Sequence, residues 1–198
     1  MYMKISIDGN IGCGKSTIIK LLKENLDDNL YGFTQENISD WDEYLKEYYK
    51  DIKKNSLLFQ MKVLLHHLSN KSQKKNIDIH ERSPLSCINI FGKHLYNSKF
   101  LGDLDIKLMN NYNKNYGWIP DIIIYIKTSP EIVKNRIDLR SRDGETIPIS
   151  YLENINNLYN NLYISEKKKL ENIKIYYIDG NSSIEKNLNK ILAIIKNI

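Results

Sequence analysis

Five short runs of apolar and β-branched residues punctuate the chain: Lys4–Asp8, Tyr31–Glu36, Ile77–His80, Asp121–Lys127 and Ile173–Asp179. Each has the length of a strand, and DIIIYIK at Asp121–Lys127 is apolar almost throughout, as a strand covered on both faces must be. Between the runs, apolar residues recur at helical spacing. Ser16–Leu26 carries Ile18, Ile19, Leu22 and Leu26 on one face, and Leu57–Leu68 is dense in leucine. Ser129-Pro130-Glu131 reads as a helix start, with serine as cap and proline in the first position. Ser182 and Glu185 have the spacing of a capping box. Strands alternating with helices predict an α/β fold built on a five-stranded parallel sheet with helices on both faces. No repeat, linker or low-complexity segment interrupts the 198 residues, so one domain over residues 1–198 is expected.

Composition narrows the class. Apolar residues make up 41% and charged residues 27%, the balance of an ordinary globular domain. A net charge of +5 suits a protein that binds polyphosphate but is too small, without a basic stripe, to argue for nucleic acid. The abundance of Asn, Lys, Ile and Tyr matches an AT-rich coding bias and carries no function. The two cysteines, Cys13 and Cys87, form no CxxC, and the four histidines show no ligand spacing, which argues against a disulfide scaffold or a zinc site. The N-terminal residues MYMKISIDG run straight into the first loop without a leader pattern, and no apolar run approaches the roughly 18 residues of a membrane span. The expected compartment is the cytoplasm, with no membrane partner.

The first strand leads into GNIGCGKST, residues Gly9, Asn10, Ile11, Gly12, Cys13, Gly14, Lys15, Ser16 and Thr17. Gly9-x-x-x-x-Gly14-Lys15-Ser16 is a full phosphate-loop pattern in its required place, after a strand and before a helix. Glycines let the backbone curl so that N–H groups face phosphate oxygens, and the helix N-terminus adds positive potential. Lys15 is expected to reach the β- and γ-phosphates of ATP and Ser16 to hold Mg²⁺. A guanine-reading NKxD segment is missing, since Asn113-Lys114-Asn115-Tyr116 lacks the acid, which disfavours a GTPase switch.

Arg136, Arg140 and Arg142 follow the strongest strand, the first two on one helix face. Guanidiniums near a phosphate loop suit the charge of a transferring phosphoryl group, and a segment closing there excludes water. The Ile77 run exits through His80-Glu81-Arg82-Ser83, and ligands of open α/β sheets sit beyond the carboxyl ends of strands. There Glu81 can orient Mg²⁺ and Arg82 can meet the acceptor oxygen. Glu36, at the end of the Tyr31–Glu36 run, can accept a proton from an attacking hydroxyl.

Four blocks, in order along nearly the whole chain, resemble the deoxynucleoside kinase family. They are GNIGCGKST, ENISDW at Glu36–Trp41, HERSPLSCINIF at His80–Phe91, and RIDLRSRDGETIPISYL at Arg136–Leu152, which resembles the family's arginine-rich lid. Tyr49 stands ten residues before Phe59, which is followed by Gln60, also as in the family. The resemblance implies a P-loop kinase fold and transfer of the γ-phosphoryl of ATP·Mg²⁺ to the 5′-hydroxyl of a deoxynucleoside, for nucleotide salvage. It makes Glu36 the general base, gives Glu81 to Mg²⁺ and Arg82 to the 5′ oxygen. Tyr49 and Glu145 would bind the 3′-hydroxyl, and Gln60 would read the base. Trp41, Phe59 and Phe91 would pack around the base, and Asp179 and Asn181 would lie by the ATP base. It also implies a homodimer.

Three departures bear on specificity. Glu-Pro-Val becomes Glu36-Asn37-Ile38, the lid is one residue shorter between Glu145 and Ile147 than in several members, and the Arg-Tyr after Glu-Arg-Ser becomes Ile88-Asn89. Gln60, Val63 and His67 form one helical stripe. In the family, the sites matching His67 and Cys87 face the far side of the base, and an Arg–Asp pair there crowds the thymine methyl. Cys87 is small and His67 bulkier than expected, which predicts a pyrimidine kinase taking thymidine and deoxycytidine. The alternatives are a purine-preferring deoxynucleoside kinase, a thymidylate kinase, which would carry Asp-Arg-Tyr in place of Glu81-Arg82-Ser83, and a nucleotide-binding module without catalysis.

Overall fold

The computed structural model describes residues 2–70, 73, 75–140 and 146–198. Its strands are β1 (Met3–Gly9), β2 (Tyr31–Thr34), β3 (Ile77–Glu81), β4 (Ile122–Lys127) and β5 (Lys174–Asp179). The helices are α1 (Lys15–Asn25), α2 (Asp42–Lys50), α3 (Ile52–Ser69), α4 (Pro84–Ser86), α5 (Lys93–Asn97), α6 (Asp103–Tyr116), α7 (Pro130–Arg140), α8 (Ile149–Asn160) and α9 (Ile184–Lys196). Two π-helical segments, Cys87–Gly92 and Asn161–Ser165, continue α4 and α8.

The expected five-stranded parallel sheet is present, in the order β2-β3-β1-β4-β5. Ile7 pairs with Glu81, Gly9 with Ile126 and Lys127 with Asp179, so the carboxyl ends of β1, β3, β4 and β5 lie along one edge. Strand β4, between β1 and β5, is buried from Ile122 to Ile126, as its unbroken apolar run requires.

The chain divides into two compact units. The first comprises Met1–Gln35, Ser72–Glu81 and Pro120–Ile198, and the second Glu36–Lys71 and Arg82–Ile119. The first unit holds the whole sheet with α1, α7, α8 and α9, and its core is built from Ile5, Ile7, Ile19, Ile124, Leu152 and their neighbours. The second unit is all helical. Its α3 packs against α2 and α6 around Leu64, Leu68, Cys87, Leu95 and Met109.

Three element boundaries differ from the sequence expectation. β2 ends at Thr34, the last residue in register with β3, so Glu36 lies two residues beyond a strand rather than at its end. α3 starts five residues before Leu57, because the Asp51 side chain accepts from Lys54 N and caps it. The cap of α9 is Ser183, whose hydroxyl accepts from Lys186 N, while Ser182 donates to Asp179 Oδ2 at 2.8 Å.

Candidate active site

In the first unit, the loop after β1 needs glycine on two counts. Gly12 has φ +77° and Gly9 has φ +150°, and a Cβ on Gly9 would meet the Ile126 carbonyl oxygen at 2.6 Å. Asn10 ties the loop down: its Nδ2 donates to Leu152 O at 2.8 Å and its Oδ1 accepts from Ile11 N at 2.8 Å. Lys15 is buried, its Nζ donating to Asn10 O at 2.9 Å and Gly9 O at 3.3 Å, with Cys13 Sγ at 3.8 Å. The ammonium therefore sits inside the curl of the loop. Thr17 is exposed in the first turn of α1.

Behind the loop stands a buried carboxylate. Asp8 accepts from Tyr163 and Ser6 at Oδ2 (2.9 and 3.0 Å) and from Tyr159 at Oδ1 (3.2 Å). Tyr125 stacks on Tyr159 at 5.4 Å. Burial first, and the Asp8 charge second, push the Tyr163 hydroxyl well above its ordinary value, so it remains a donor. Sequence reading missed this cluster because tyrosines 34 and 38 positions after Tyr125 carry no local pattern.

Ser16 Oγ donates to Glu81 Oε1 at 2.8 Å. Glu81 is 5% exposed, and its Oε2 has no hydrogen-bond partner among the described residues. A buried carboxylate oxygen left open beside a hydroxyl suits a hard cation such as Mg²⁺. No group of three or more His, Cys, Asp or Glu gathers among the described residues, which is compatible with an ion that keeps waters and phosphate oxygens as its other ligands. Arg136 donates to Gly180 O at 3.0 Å and Cys13 O at 3.4 Å, linking the phosphate loop to the turn after β5. In that turn Asn181 Oδ1 accepts from Ser129 N at 2.9 Å. The Asp179 carboxyl is held below its usual range by the Ser182 hydroxyl and then the Asn181 N–H. Arg140 is exposed at the end of α7. Arg142 and Glu145 lie outside the described residues.

In the second unit, Arg82 is, with Lys99, one of two non-glycine residues with positive φ among the described residues, at +59°. Such a conformation costs on the order of 1–3 kcal/mol and persists where the surroundings impose it. Its guanidinium donates through Nη1 to Glu36 Oε2 and stacks 4.8 Å above the Phe91 ring. Both side chains of this ion pair are buried. On the other oxygen, His67 Nε2 stands 3.7 Å from Glu36 Oε1, with the imidazole only 3% exposed. His67 thus faces Glu36 rather than solvent. Gln60 is buried, and the Cys87 thiol approaches its Oε1 at 3.8 Å. Burial, then the Glu36 charge, pushes the Cys87 thiol up and keeps it neutral, with Arg82 opposing.

The aromatic expectations divide. Trp41 is buried edge-on to His66 at 5.2 Å. Phe59 stacks on Tyr48 at 5.0 Å, and burial, then the neighbouring Tyr49, pushes the Tyr48 hydroxyl up to about 12. Val63 is half-buried against the same core, and Tyr49 is 36% exposed.

The chain is similar along most of its length to several kinases. The chain is 31% identical over 209 residues to the "Probable deoxycytidine kinase" of fowlpox virus (strain NVSL), covering 100% of this chain and 87% of that one. It is 34% identical over 165 residues to the "Deoxyadenosine kinase" of Dictyostelium discoideum, covering 78% and 64%. The structure of deoxyadenosine kinase from M. mycoides, solved with the products dCMP and a flexible dCDP, matches with a TM-score of 0.84 and 25% identity, covering 99% of this chain and 100% of that one. A family model described as deoxynucleoside kinase spans residues 5–198, and the chain belongs to that family of nucleoside-phosphorylating transferases.

Proposed function

We propose that the chain transfers the γ-phosphoryl of ATP to the 5′-hydroxyl of a pyrimidine deoxynucleoside, both thymidine and deoxycytidine, as a cytoplasmic salvage enzyme. The observation that carries the reading is the buried Glu36–Arg82 pair, a carboxylate and a guanidinium held together in a helical unit that also buries an amide, Gln60. Glu36 takes the proton of the 5′-hydroxyl as that oxygen bonds to the γ-phosphorus and ADP departs. Arg82, spread over the Phe91 face, stabilises the oxygen and the charge that develops. Lys15, the loop amides, Arg136, Arg140 and Arg142 bind the phosphates. Mg²⁺, held through Ser16 and Glu81, supplies charge neutralisation on the nucleotide. Asp179 and Asn181 border the ATP base.

Gln60 reads the nucleobase, because an amide offers donor and acceptor side by side. Trp41, Phe59, Val63 and Phe91 form the apolar surround, and Tyr49 with Glu145 holds the 3′-hydroxyl. A small neutral Cys87 supports room for the thymine methyl. The deoxyadenosine kinases among the matched proteins favour a second reading, a purine-preferring kinase. Competition among the four deoxynucleosides separates the two: thymidine and deoxycytidine are expected to give the higher kcat/KM, and a purine ranking first overturns the pyrimidine reading. Cys87→Asp is expected to lower the thymidine-to-deoxycytidine ratio. The ratio is the proper readout, since a second carboxylate near Glu36 harms both substrates alike.

A homodimer is proposed as well. On α6, Leu104, Leu108, Tyr112 and Tyr116 recur every fourth residue with exposures of 78, 40, 39 and 59%, and on α3 Leu58 and Leu65 are also exposed. An apolar stripe of this kind on a helical unit supports a self-complementary contact with a second copy.

A further inference from the structure

We propose that His67 is a positioning residue for Glu36, set beside one carboxylate oxygen while Arg82 holds the other. The inference rests on the reading of Glu36 as the general base. It reassigns His67 from the nucleobase to the reacting hydroxyl.

The placement is specific. Glu36 Oε2 receives the Arg82 guanidinium, and His67 Nε2 stands 3.7 Å from the other carboxylate oxygen, Oε1. All three side chains are buried, and none lies in water that would screen the contact. The His67 backbone is fixed too: the Trp118 indole N–H donates to His67 O at 3.0 Å. On its own helix the ring meets His66 edge-on at 5.6 Å, and His66 is in turn braced by Trp41. The ionisable groups that face the imidazole include Glu36 from the segment after β2 and His66 from α3, and Glu36 is in turn met by Arg82 from the exit of β3 and sensed by the Cys87 thiol.

The effect has one sign for the imidazolium and for the neutral ring protonated on Nε2. As an imidazolium it places a second positive charge beside the carboxylate, and as that neutral tautomer it turns the positive end of its N–H dipole towards the ionised oxygen, 3.7 Å away. Either interaction favours the carboxylate over the carboxylic acid. Glu36 therefore stays ionised, and competent as a base, to a lower pH than Arg82 alone would allow.

The test is the pH profile of kcat/KM with deoxycytidine and saturating ATP·Mg²⁺, for the full chain and for His67→Leu, His67→Gln and Glu36→Gln. Loss of the imidazole in His67→Leu is expected to move the acid limb up by about one pH unit, which lowers kcat/KM roughly tenfold below both midpoints and progressively less towards high pH. His67→Gln, which keeps an N–H but no charge, is expected to fall between parent and His67→Leu. An acid limb that stays in place while the nucleoside KM rises at every pH makes His67 a base reader and overturns the proposal. If thermal melting shows that His67→Leu does not fold, His67→Gln decides by the same criterion. Glu36→Gln separates the two layers. If it retains the parent rate and limb, the general-base reading fails and the proposal falls with it. If it loses both while the His67 variants leave the limb unmoved, only the role of His67 is wrong.

Discussion

Glu81 presents one oxygen to Ser16 and leaves the other open among the described residues, the feature behind its proposed role at Mg²⁺. Glu81→Gln removes a charge from a hard-cation site and exchanges an oxygen for an amide. The Mg²⁺ concentration for half-maximal activity is expected to rise about tenfold, the scale of one charge-assisted contact. An unchanged Mg²⁺ titration would take Glu81 out of the metal site. Tyr49, half-exposed on α2, is proposed to make one hydroxyl contact to the sugar. A 2′,3′-dideoxynucleoside is expected to show kcat/KM about tenfold below its parent, and equal efficiency for the two would remove Tyr49 from that role.

At the scale of elements, the turn after β5 and the start of α9 show how neighbouring serines divide their work. Ser183 caps α9 and Ser182 holds Asp179, so Ser183→Ala is expected to cost about 1 kcal/mol in urea unfolding. Ser182→Ala leaves the helix cap in place and is expected to cost less. A larger loss in Ser182→Ala would return the cap to the position the capping-box spacing suggested. The strands were legible to within a residue or two, because a parallel sheet buried on both faces writes its strands as apolar runs. The phosphate loop was legible because its geometry demands glycine at fixed places. Harder to read were features whose signal is not local. Tyr159, near the end of α8, and Tyr163, in the π-helical segment that continues it, both reach Asp8, and nothing at Asp8 announces two distant phenols. His67 stood on the right helical stripe, but its partner Glu36 lies thirty-one residues earlier, and no helical periodicity connects them.

For the whole molecule, two cores instead of one mean that stability and assembly can be probed separately. Sedimentation at micromolar concentration is expected to give twice the chain mass of 23.3 kDa, and glutamate at both Leu104 and Leu108 to reduce it to the single-chain mass. A parent that sediments only as the single chain would refute the dimer. Burial pulls the His94 imidazole below its free value of 6.5. The unfolded chain then binds more protons than the folded one between the folded value and 6.5. Stability is therefore full above that window and falls as pH drops through it, and His94→Gln is expected to flatten this part of the curve. Identical slopes for the two proteins would exclude His94. The account as a whole turns on Glu36 as the base that releases the 5′-oxygen. Its most direct test is the turnover of Glu36→Gln with ATP·Mg²⁺ and deoxycytidine, measured beside the calorimetric affinity for the nucleoside. Turnover is expected to fall roughly 10²-fold or more with affinity within about threefold of the parent, and turnover that stays within about threefold of the parent would contradict the account.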